Sequence, residues 1–309
     1  MKKVDILISE VGPRDGLQSL AGIMPTAAKK QWINALAAAG IQEIEVGSFV
    51  PASVLPQLAD TAELVAYGRT IAGLQIAVLV PNLRGAQGAI AAGAHKISIP
   101  LSVSEAHSLR NVKRTHAQML DEIAAIAELV QAQPSATRPY FEVGLSTAFG
   151  CSLQGPVPEL LVVQLAEAAL KAGCDEVGLS DTTGSANPVQ LRRLITQVWS
   201  AVGKDKLCGV HLHNTRGQGL ANALAAIEMG ITTVDASMGG IGGCPAAPGA
   251  SGNIVTEDLV FLLEAMGLET GINFEALCAA RAVFADAMPG TELYGFTPLA
   301  GLPKGFEIN

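Results

Sequence analysis

Charged residues are scarce in this chain of 309 residues, where they account for 16% against 49% hydrophobic residues. Long apolar runs are also missing, because none reaches the roughly 20 residues that a membrane-spanning helix needs. The apolar excess comes instead from alanine-rich segments and short Val/Ile/Leu runs. Such runs are typical of strands and helices buried inside a parallel α/β fold. The composition therefore predicts an α/β protein without a membrane partner.

An excess of basic charge is absent as well. The formal net charge of −8 argues against general binding to nucleic acid or to anionic membranes. The five cysteines are widely spread and include no CxxC pair, so neither a disulfide framework nor a structural zinc site is expected. The amino-terminal apolar piece is too short for a signal peptide, and we expect a cytoplasmic location.

Short β-rich runs alternate with longer helical patterns along the whole chain. Several helical patterns end in a glycine just before the next strand, such as Gly93 and Gly230, as expected for helix C-caps. Eight β–α units in order predict a closed (β/α)8 TIM barrel. An open doubly wound sheet is the alternative, disfavoured because no G-x-G-x-x-G follows the first strand. The predicted strands are 4–9, 43–47, 75–80, 96–100, 140–145, 176–180, 209–213 and 233–236.

The predicted helices separate these strands and continue beyond them. We predict a catalytic barrel over residues 1–272, followed by a helix and a Gly/Pro-rich tail over residues 273–309 that packs on the barrel or on a partner subunit. No linker that would divide the chain into two independent halves is visible. The predicted helices are 27–39, 61–72, 84–92, 105–131, 157–172, 188–201 and 219–229, with another that begins near Thr256.

The loop from Gly239 to Asn253 contains six glycines, two prolines and one cysteine, Cys244. Glycine and proline at this density exclude a regular helix or strand. A backbone of this kind can bring a reactive group to a substrate as a lid. A long surface turn with an incidental cysteine is the alternative interpretation.

Polar residues are concentrated where the predicted strands end, which is where TIM barrels carry their active sites. Arg14 and Asp15 follow the first strand, and their adjacency is also compatible with a simple ion pair. Glu45 lies at the end of the second strand, where a charge is costly unless it is paired or bound. Asp181 follows the sixth strand and could either serve the reaction or cap the next segment.

Two histidines, His211 and His213, end the seventh strand. Residues two apart on a strand point to the same face, so both imidazoles should project together and could hold a metal ion. Asp15 and the amide oxygen of Asn253 would complete a mixed oxygen and nitrogen ligand set without thiolates. Such a set favours Mg²⁺ or Mn²⁺, although Zn²⁺ stays an alternative.

The chain resembles a known family from about Ile8 to about Leu268. It is similar to 3-hydroxy-3-methylglutaryl-CoA lyases, which belong to the barrel metal-dependent lyases and condensing enzymes called the DRE-TIM group. The glycine loop with its cysteine is the most specific feature and indicates the lyase branch. The motifs that carry the resemblance are Arg14-Asp15-Gly-Leu-Gln18, Glu45, His211-x-His213 and Gly-Gly-Cys244-Pro…Gly-Ala-Ser-Gly-Asn253.

The resemblance implies a role for each matching residue. A divalent cation is expected on Asp15, His211, His213 and Asn253. The remaining roles concern the reaction, which would cleave an acyl-CoA thioester, 3-hydroxy-3-methylglutaryl-CoA in the parent case, into acetyl-CoA and acetoacetate. Arg14 would stabilise the enolate oxygen, Cys244 would transfer a proton, and Glu45 and Asp181 would organise protons and water. By the same resemblance, we expect a homodimer or a higher homo-oligomer.

The chain departs from the family pattern in two places. Familiar lyases commonly read His-x-His-Asp-Thr-Tyr-Gly-Gln, whereas Asn214 and Arg216 stand here at the Asp and Tyr positions. The segment from Ser102 to Arg114 also differs. These departures keep open a lyase for a differently substituted 3-hydroxyglutaryl-CoA. The candidates for substrate contact are Gln18, Arg110, Lys113, Arg114 and Arg216, although the basic cluster at 110–114 could equally be a solvated helix face.

Two further readings stand beside the lyase. A condensing synthase of the same barrel group would run the Claisen reaction forward from acetyl-CoA and a 2-oxo acid, but the cysteine loop and the lack of a substantial second domain disfavour it. A metal-binding or CoA-binding protein without catalysis is the other alternative. The complete set of polar residues at the strand ends disfavours that reading.

Overall fold

A computed structural model of the chain describes residues 3–242 and 252–306. Its eight parallel strands pair in chain order, and β8 pairs with β1 to close the barrel. The predicted TIM barrel is therefore confirmed, and the doubly wound alternative is wrong. The strands are β1 (Leu7–Glu10), β2 (Glu43–Ser48), β3 (Gln75–Leu79), β4 (Lys96–Ser102), β5 (Tyr140–Ser146), β6 (Glu176–Ser180), β7 (Gly209–His211) and β8 (Thr233–Ala236).

Helices follow the strands and cover the outside of the barrel. Among residues 3–242 and 252–306, no helix has the length and apolar character needed to cross a membrane. The helices are α1 (Thr26–Ala38), α2 (Thr61–Gly68), α3 (Leu83–Ala92), α4 (Glu105–Asn111), α5 (His116–Gln131), α6 (Glu159–Lys171), α7 (Pro188–Val202), α8 (Gly219–Met229), α9 (Thr256–Ala265), α10 (Phe274–Ala287) and α11 (Thr297–Ala300).

The single helix predicted over residues 105–131 is wrong, because the structure divides it into α4 and α5. Lys113 between them has a φ of 58°, which no α-helix accommodates. Thr115 then begins α5 with a capping box, in which its side chain accepts from the Gln118 backbone and the Gln118 side chain accepts from the Thr115 backbone. The break lies in the connection after β4, at the end of the barrel where the strands terminate.

The apolar core lies between the strands and the surrounding helices, whereas charged groups occupy the inside of the barrel. In β4, Ile97, Ile99 and Leu101 are fully buried and belong to this core. The alternate residues point inward, because a strand places successive side chains on opposite faces. The ammonium group of Lys96 accordingly lies 2.6 Å from the carboxylate of Glu142 on the neighbouring strand.

Helix α10, which follows the barrel, packs against α1, with the ring centroids of Trp32 and Phe284 5.0 Å apart. The short helix α11 lies against α9. The division of the chain into a barrel over residues 1–272 and an added region over residues 273–309 stays a prediction.

Candidate metal centre and active site

A single π-helical turn, Gly12–Gly16, directly follows β1 and carries Arg14 and Asp15. The carbonyl oxygen of Val11 accepts from the backbone N–H groups of Arg14, Asp15 and Gly16, at 3.1, 2.7 and 3.3 Å. This tight turn places both side chains at the carboxyl end of the barrel, and both residues are buried. Turns of this type occur frequently at functional sites.

Arg14 is buried between two carboxylates. Its Nη1 donates to Asp15 Oδ1 at 2.5 Å, and its Nε donates to Glu45. Burial disfavours the charged guanidinium, but Glu45 and Asp15 outweigh that effect and keep the pKa of Arg14 above its ordinary value. Burial raises the pKa of Glu45, against the opposing influence of Arg14. Ser98 also donates to Glu45, at 3.1 Å, so this carboxylate has partners from two sides.

The two histidines lie together, as the sequence predicted. His211 Nε2 and His213 Nε2 are 3.1 Å apart, and Asp15 Oδ2 lies 3.9 Å from the first and 4.0 Å from the second. The strand itself is shorter than predicted, because β7 ends at His211. His213 is instead held by an isolated antiparallel bridge to Asn253.

The charge states of this cluster follow from burial and from neighbouring groups. Burial opposes ionisation of Asp15, but Arg14 and the two histidines outweigh it and lower the pKa of Asp15 to about 2. Burial and the neighbouring His211 lower the pKa of His213 to about 4. Asp15 is therefore a carboxylate and His213 a neutral imidazole near pH 7. These are the forms in which both side chains bind metals.

Asn253 lies against the same carboxylate. Its Nδ2 donates to Asp15 Oδ2 at 2.7 Å and to the Ile241 carbonyl oxygen at 3.1 Å. Its Oδ1 is buried and has no hydrogen-bond partner among the described residues, and neither has His213 Nδ1. A buried amide oxygen without a partner is unusual in a folded protein and indicates a missing ligand.

The residues present fit a divalent cation. Among residues 3–242 and 252–306, Asp15, His211 and His213 form a group whose possible ligand atoms all lie within 4.8 Å of one another. Donors that share one ion at about 2.1 Å stand roughly 3 to 4 Å apart, which matches the distances above. Asn253, whose amide contacts Asp15 and whose oxygen has no partner, is the candidate for a fourth donor. This is a possible metal site of mixed oxygen and nitrogen character.

Asp181 and Arg216 meet at the neighbouring loops. The two carboxylate oxygens of Asp181 accept from the backbone N–H groups of Ser185, at 2.7 Å, and Ala186, at 3.1 Å. Burial raises the pKa of Asp181, while these two hydrogen bonds lower it. Arg216 Nη1 donates to the carbonyl oxygens of Thr183 and Gly184, at 2.8 and 2.9 Å. Asp181 thus stabilises the loop after β6 from within, and Arg216, in the loop after β7, connects the two loops by its hydrogen bonds.

The other predicted contact residues divide into two groups. Gln18 joins the cluster, because its Nε2 donates to Asp15 Oδ1 at 2.7 Å. Arg110, Lys113 and Arg114 lie in α4 and in its connection to α5. Arg114 forms an ion pair there with Glu122. Among the described residues, none of these three basic side chains forms a hydrogen bond or ion pair with Arg14, Asp15 or Glu45.

Cys244 lies outside the described residues. Conversely, the structure adds one residue that sequence reasoning missed. The carboxylate of Asp235 in β8 accepts from His211 Nδ1 across neighbouring strands, at 3.0 Å. The parallel register pairs the same two residues. A carboxylate inside the predicted strand Thr-Val-Asp-Ala was the available signal, because adjacent barrel strands bring inward-facing residues together.

A closed barrel with these donors and a buried arginine at the carboxyl ends of its strands defines a TIM-barrel protein with a possible metal centre. The family comparison is then specific: the HMGL-like family model matches residues 5–284. The chain belongs to this family, and the resemblance to hydroxymethylglutaryl-CoA lyases is confirmed by individual relatives.

Two curated lyases illustrate that similarity. The chain is 38% identical to the mitochondrial hydroxymethylglutaryl-CoA lyase of Mus musculus over 283 residues, which cover 92% of this chain and 86% of that protein. It is also 38% identical to the hydroxymethylglutaryl-CoA lyase of Bacillus subtilis (strain 168), over 92% of this chain and 93% of that protein.

Solved structures agree with these relatives. The crystal structure of the Bacillus subtilis HMG-CoA lyase superposes with a TM-score of 0.90 at 35% identity, covering 96% of this chain and 98% of that one. An HMG-CoA lyase from Acinetobacter baumannii in complex with coenzyme A and 3-methylmalate superposes with a TM-score of 0.88 at 39% identity. This second match covers 98% of this chain and 97% of that one.

Proposed function

We propose that the protein is a divalent-metal-dependent carbon–carbon lyase that cleaves 3-hydroxy-3-methylglutaryl-CoA into acetyl-CoA and acetoacetate. One observation carries this proposal. The buried Arg14 lies against Asp15, and Asp15 lies about 4 Å from both imidazoles of the possible metal site. A fixed positive charge beside a metal centre is what a retro-Claisen cleavage requires, because negative charge moves between two oxygens during the reaction.

The metal would be held by Asp15, His211, His213 and Asn253. Mg²⁺ or Mn²⁺ suits this set best, because half of its donors are oxygens and it contains no thiolate. When bound, such a cation lowers the pKa of a coordinated hydroxyl group and orients the substrate.

The reaction itself balances without an added oxidant or reductant. The tertiary hydroxyl at C3 loses its proton and becomes the ketone of acetoacetate as the C2–C3 bond breaks. The electron pair of that bond passes to C2 and is delocalised onto the thioester oxygen as the enolate of acetyl-CoA. Addition of one proton to C2 then completes acetyl-CoA.

Arg14 is suited to meet the charge on the thioester oxygen. Its guanidinium is permanently protonated and is held by two carboxylates, so it needs little reorganisation during the reaction. Glu45 is assigned to proton organisation near the substrate, and burial raises the pKa of this carboxylate against the opposing influence of Arg14. Cys244 is proposed as the donor to C2. The assignment of Asp181 to proton organisation stays a prediction.

An acyl-CoA substrate is supported by the Acinetobacter baumannii lyase, which was solved with coenzyme A. Arg110, Lys113 and Arg114 remain candidates for contact with the CoA phosphates or the substrate carboxylate, and Gln18 and Arg216 for contact with the acyl part. A homo-oligomer and a cytoplasmic location likewise stay predictions.

A second candidate is a lyase for a 3-hydroxyglutaryl-CoA with a different substituent at C3. The position of Arg216 supports this second candidate. Its guanidinium joins two loops at the carboxyl end of the barrel by hydrogen bonds to the carbonyl oxygens of one of them. The tyrosine common at this place in familiar lyases has a different shape and no charge. The two candidates share the same cleavage chemistry and differ only in the acyl pocket.

The test is an acetyl-CoA release assay on the metal-free protein, with Mg²⁺ or Mn²⁺ added back. 3-Hydroxy-3-methylglutaryl-CoA is compared with a small panel of 3-substituted analogues. We expect metal-dependent turnover, with kcat/KM highest for the methyl compound. A higher kcat/KM for another substituent selects the second candidate. Absence of turnover with the whole panel would sink the lyase proposal, and formation of a condensation product from acetyl-CoA and a 2-oxo acid would favour the synthase.

A further inference from the structure

Gly239 begins the segment that leads from the end of β8 towards Asn253, and both of its backbone polar atoms are held from outside the strands. Its N–H lies 3.2 and 3.0 Å from the two carboxylate oxygens of Glu257. Its carbonyl oxygen accepts from the Tyr294 N–H at 2.8 Å. The start of the segment is therefore fixed by α9 on one side and by the chain beyond α10 on the other.

The carboxylate of Glu257, which accepts from the Gly239 N–H, is buried. Its side chain is 0% exposed and forms an ion pair with Arg281 of α10. The same guanidinium reaches the tail, because Nη1 donates to the Tyr294 carbonyl oxygen at 3.0 Å and Nη2 to that of Leu293 at 3.3 Å. One side chain thus connects Glu257, the tail and, through Glu257, Gly239.

The tail also contacts Gly239 through an apolar side chain. A Cβ atom added at Gly239 would lie 2.6 Å from Leu293 Cδ2, and the residue has a φ of 66°. Glycine is required on both counts, because other residues rarely adopt this conformation and would collide with the leucine. The tail therefore lies as close to this backbone as atoms allow.

The residues that follow Gly239 reach the possible metal site. The Ile241 carbonyl oxygen accepts from Asn253 Nδ2 at 3.1 Å. Gly242 lies so close that an added Cβ would be 2.2 Å from Asn253 Nδ2 and 3.2 Å from Asp15 Oδ2. A displacement of Gly239 would consequently be transmitted over three residues to two of the proposed ligands.

We propose that Arg281 and the tail residues Leu293 and Tyr294 are positioning residues of the metal centre. They hold Gly239 through Glu257 and through direct contact, and the segment Gly239–Gly242 in turn holds Asn253, whose amide donates to Asp15. This inference rests on the proposed function, since the metal centre is what these residues position. It assigns to the region after the barrel a role in the reaction.

The first test replaces Arg281→Lys, which keeps the positive charge but loses the planar set of donors that reaches three partners at once. Mn²⁺ affinity is measured by calorimetry on the metal-free protein, well below its unfolding temperature. We expect affinity about ten-fold weaker, in the lower range for residues that orient metal ligands. The matched control is Arg193→Lys, in an exposed pair with Glu159, which should bind Mn²⁺ like the wild type.

The two kinds of role give different results. A lower unfolding temperature with unchanged Mn²⁺ affinity and unchanged kcat would show that Arg281 only stabilises the fold, and would overturn the proposal. Failure of the wild-type protein itself to bind Mn²⁺ would contradict the proposed metal centre. This outcome is distinct from failure of the positioning proposal, because it is seen without any substitution.

The second test uses the contact between Gly239 and Leu293. Gly239→Ala should push the segment away from the tail and weaken Mn²⁺ binding. Gly239→Ala combined with Leu293→Ala removes the colliding Cδ2 and Cγ atoms, leaves the close contact with Leu293 Cβ at 3.0 Å, and should recover part of the affinity. Complete recovery is not expected, since the alanine keeps the unfavourable φ. Equal Mn²⁺ affinity of the single and the double variant, both folded, would contradict the positioning role of Leu293.

Discussion

His211 Nδ1 lies 3.0 Å from Asp235 Oδ2 on the neighbouring strand. An ionised carboxylate can only accept, so this contact places the ring hydrogen on Nδ1. In the neutral form of His211, Nε2 then carries the lone pair, and this is the atom that faces His213 and Asp15. A carboxylate that fixes the tautomer of a histidine in this way is common behind metal-binding imidazoles.

Asp235→Asn should therefore weaken Mn²⁺ binding by roughly ten- to a hundred-fold, because an amide holds the imidazole less firmly and in either orientation. The measurement is calorimetric titration of the metal-free protein. Asp205→Asn is the matched control, because this aspartate is 81% exposed and pairs with Lys206 rather than with a proposed metal ligand. Equal affinities for both variants and the wild type would argue that Asp235 has no influence on the metal centre.

Gly242→Ala should impair the site by collision, because its Cβ would lie 2.2 Å from Asn253 Nδ2. We expect weaker Mn²⁺ binding and a large loss of kcat/KM. Gly217→Ala helps to separate collision from backbone strain, since Gly217 also has a positive φ, 69° against 108° at Gly242, but no atom within 4 Å of an added Cβ. If both variants lost the same activity, strain alone would account for the effect.

Cys244→Ser should lose most of the lyase activity while keeping Mn²⁺ affinity, because the thiol is assigned to proton transfer and not to the metal. A hydroxyl group gives up its proton far less readily than a thiol. Cys208→Ser, at a half-buried cysteine before β7, serves as the control and should retain full activity. An unchanged rate for Cys244→Ser would refute the catalytic assignment.

Glu176→Gln should change how stability depends on pH. Burial and the neighbouring Glu142 raise the pKa of Glu176 from its ordinary value of 4.5 to about 7. The folded state therefore keeps a proton that the unfolded state releases above about pH 4.5. The stabilisation from that proton is complete below this pH and is lost as the pH rises through 7.

Glutamine is neutral at every pH and still offers an acceptor to Tyr140, whose hydroxyl donates to Glu176 at 2.9 Å. The unfolding temperature of Glu176→Gln minus that of the wild type should consequently increase from pH 5 to pH 8. Glu228→Gln, at a half-exposed surface pair, should show no such trend. A constant difference across this pH range would mean that Glu176 is not protonated in the folded protein.

Local patterns were sufficient for the barrel, because strand and helix periodicities repeat in order and glycines mark the helix ends. The break between α4 and α5 also has a local signal, the Thr-x-x-Gln capping box at Thr115. The long helical pattern on both sides of it outweighed that signal in the prediction. The clustering of Arg14, Asp15, His211 and His213 was predictable for a related reason, since all of them end or follow strands that must meet at one end of the barrel.

The sequence by itself thus determined the architecture of this protein and the chemical identity of its candidate site. Only the tertiary structure decided which partners hold that site in place. The pairing of His211 with Asp235 depends on the register between β7 and β8. The contacts of Arg281 with Glu257 and the tail depend on how α9, α10 and residues 293–294 pack together. Such contacts join side chains that no periodicity links, and so they are set by packing rather than by local pattern.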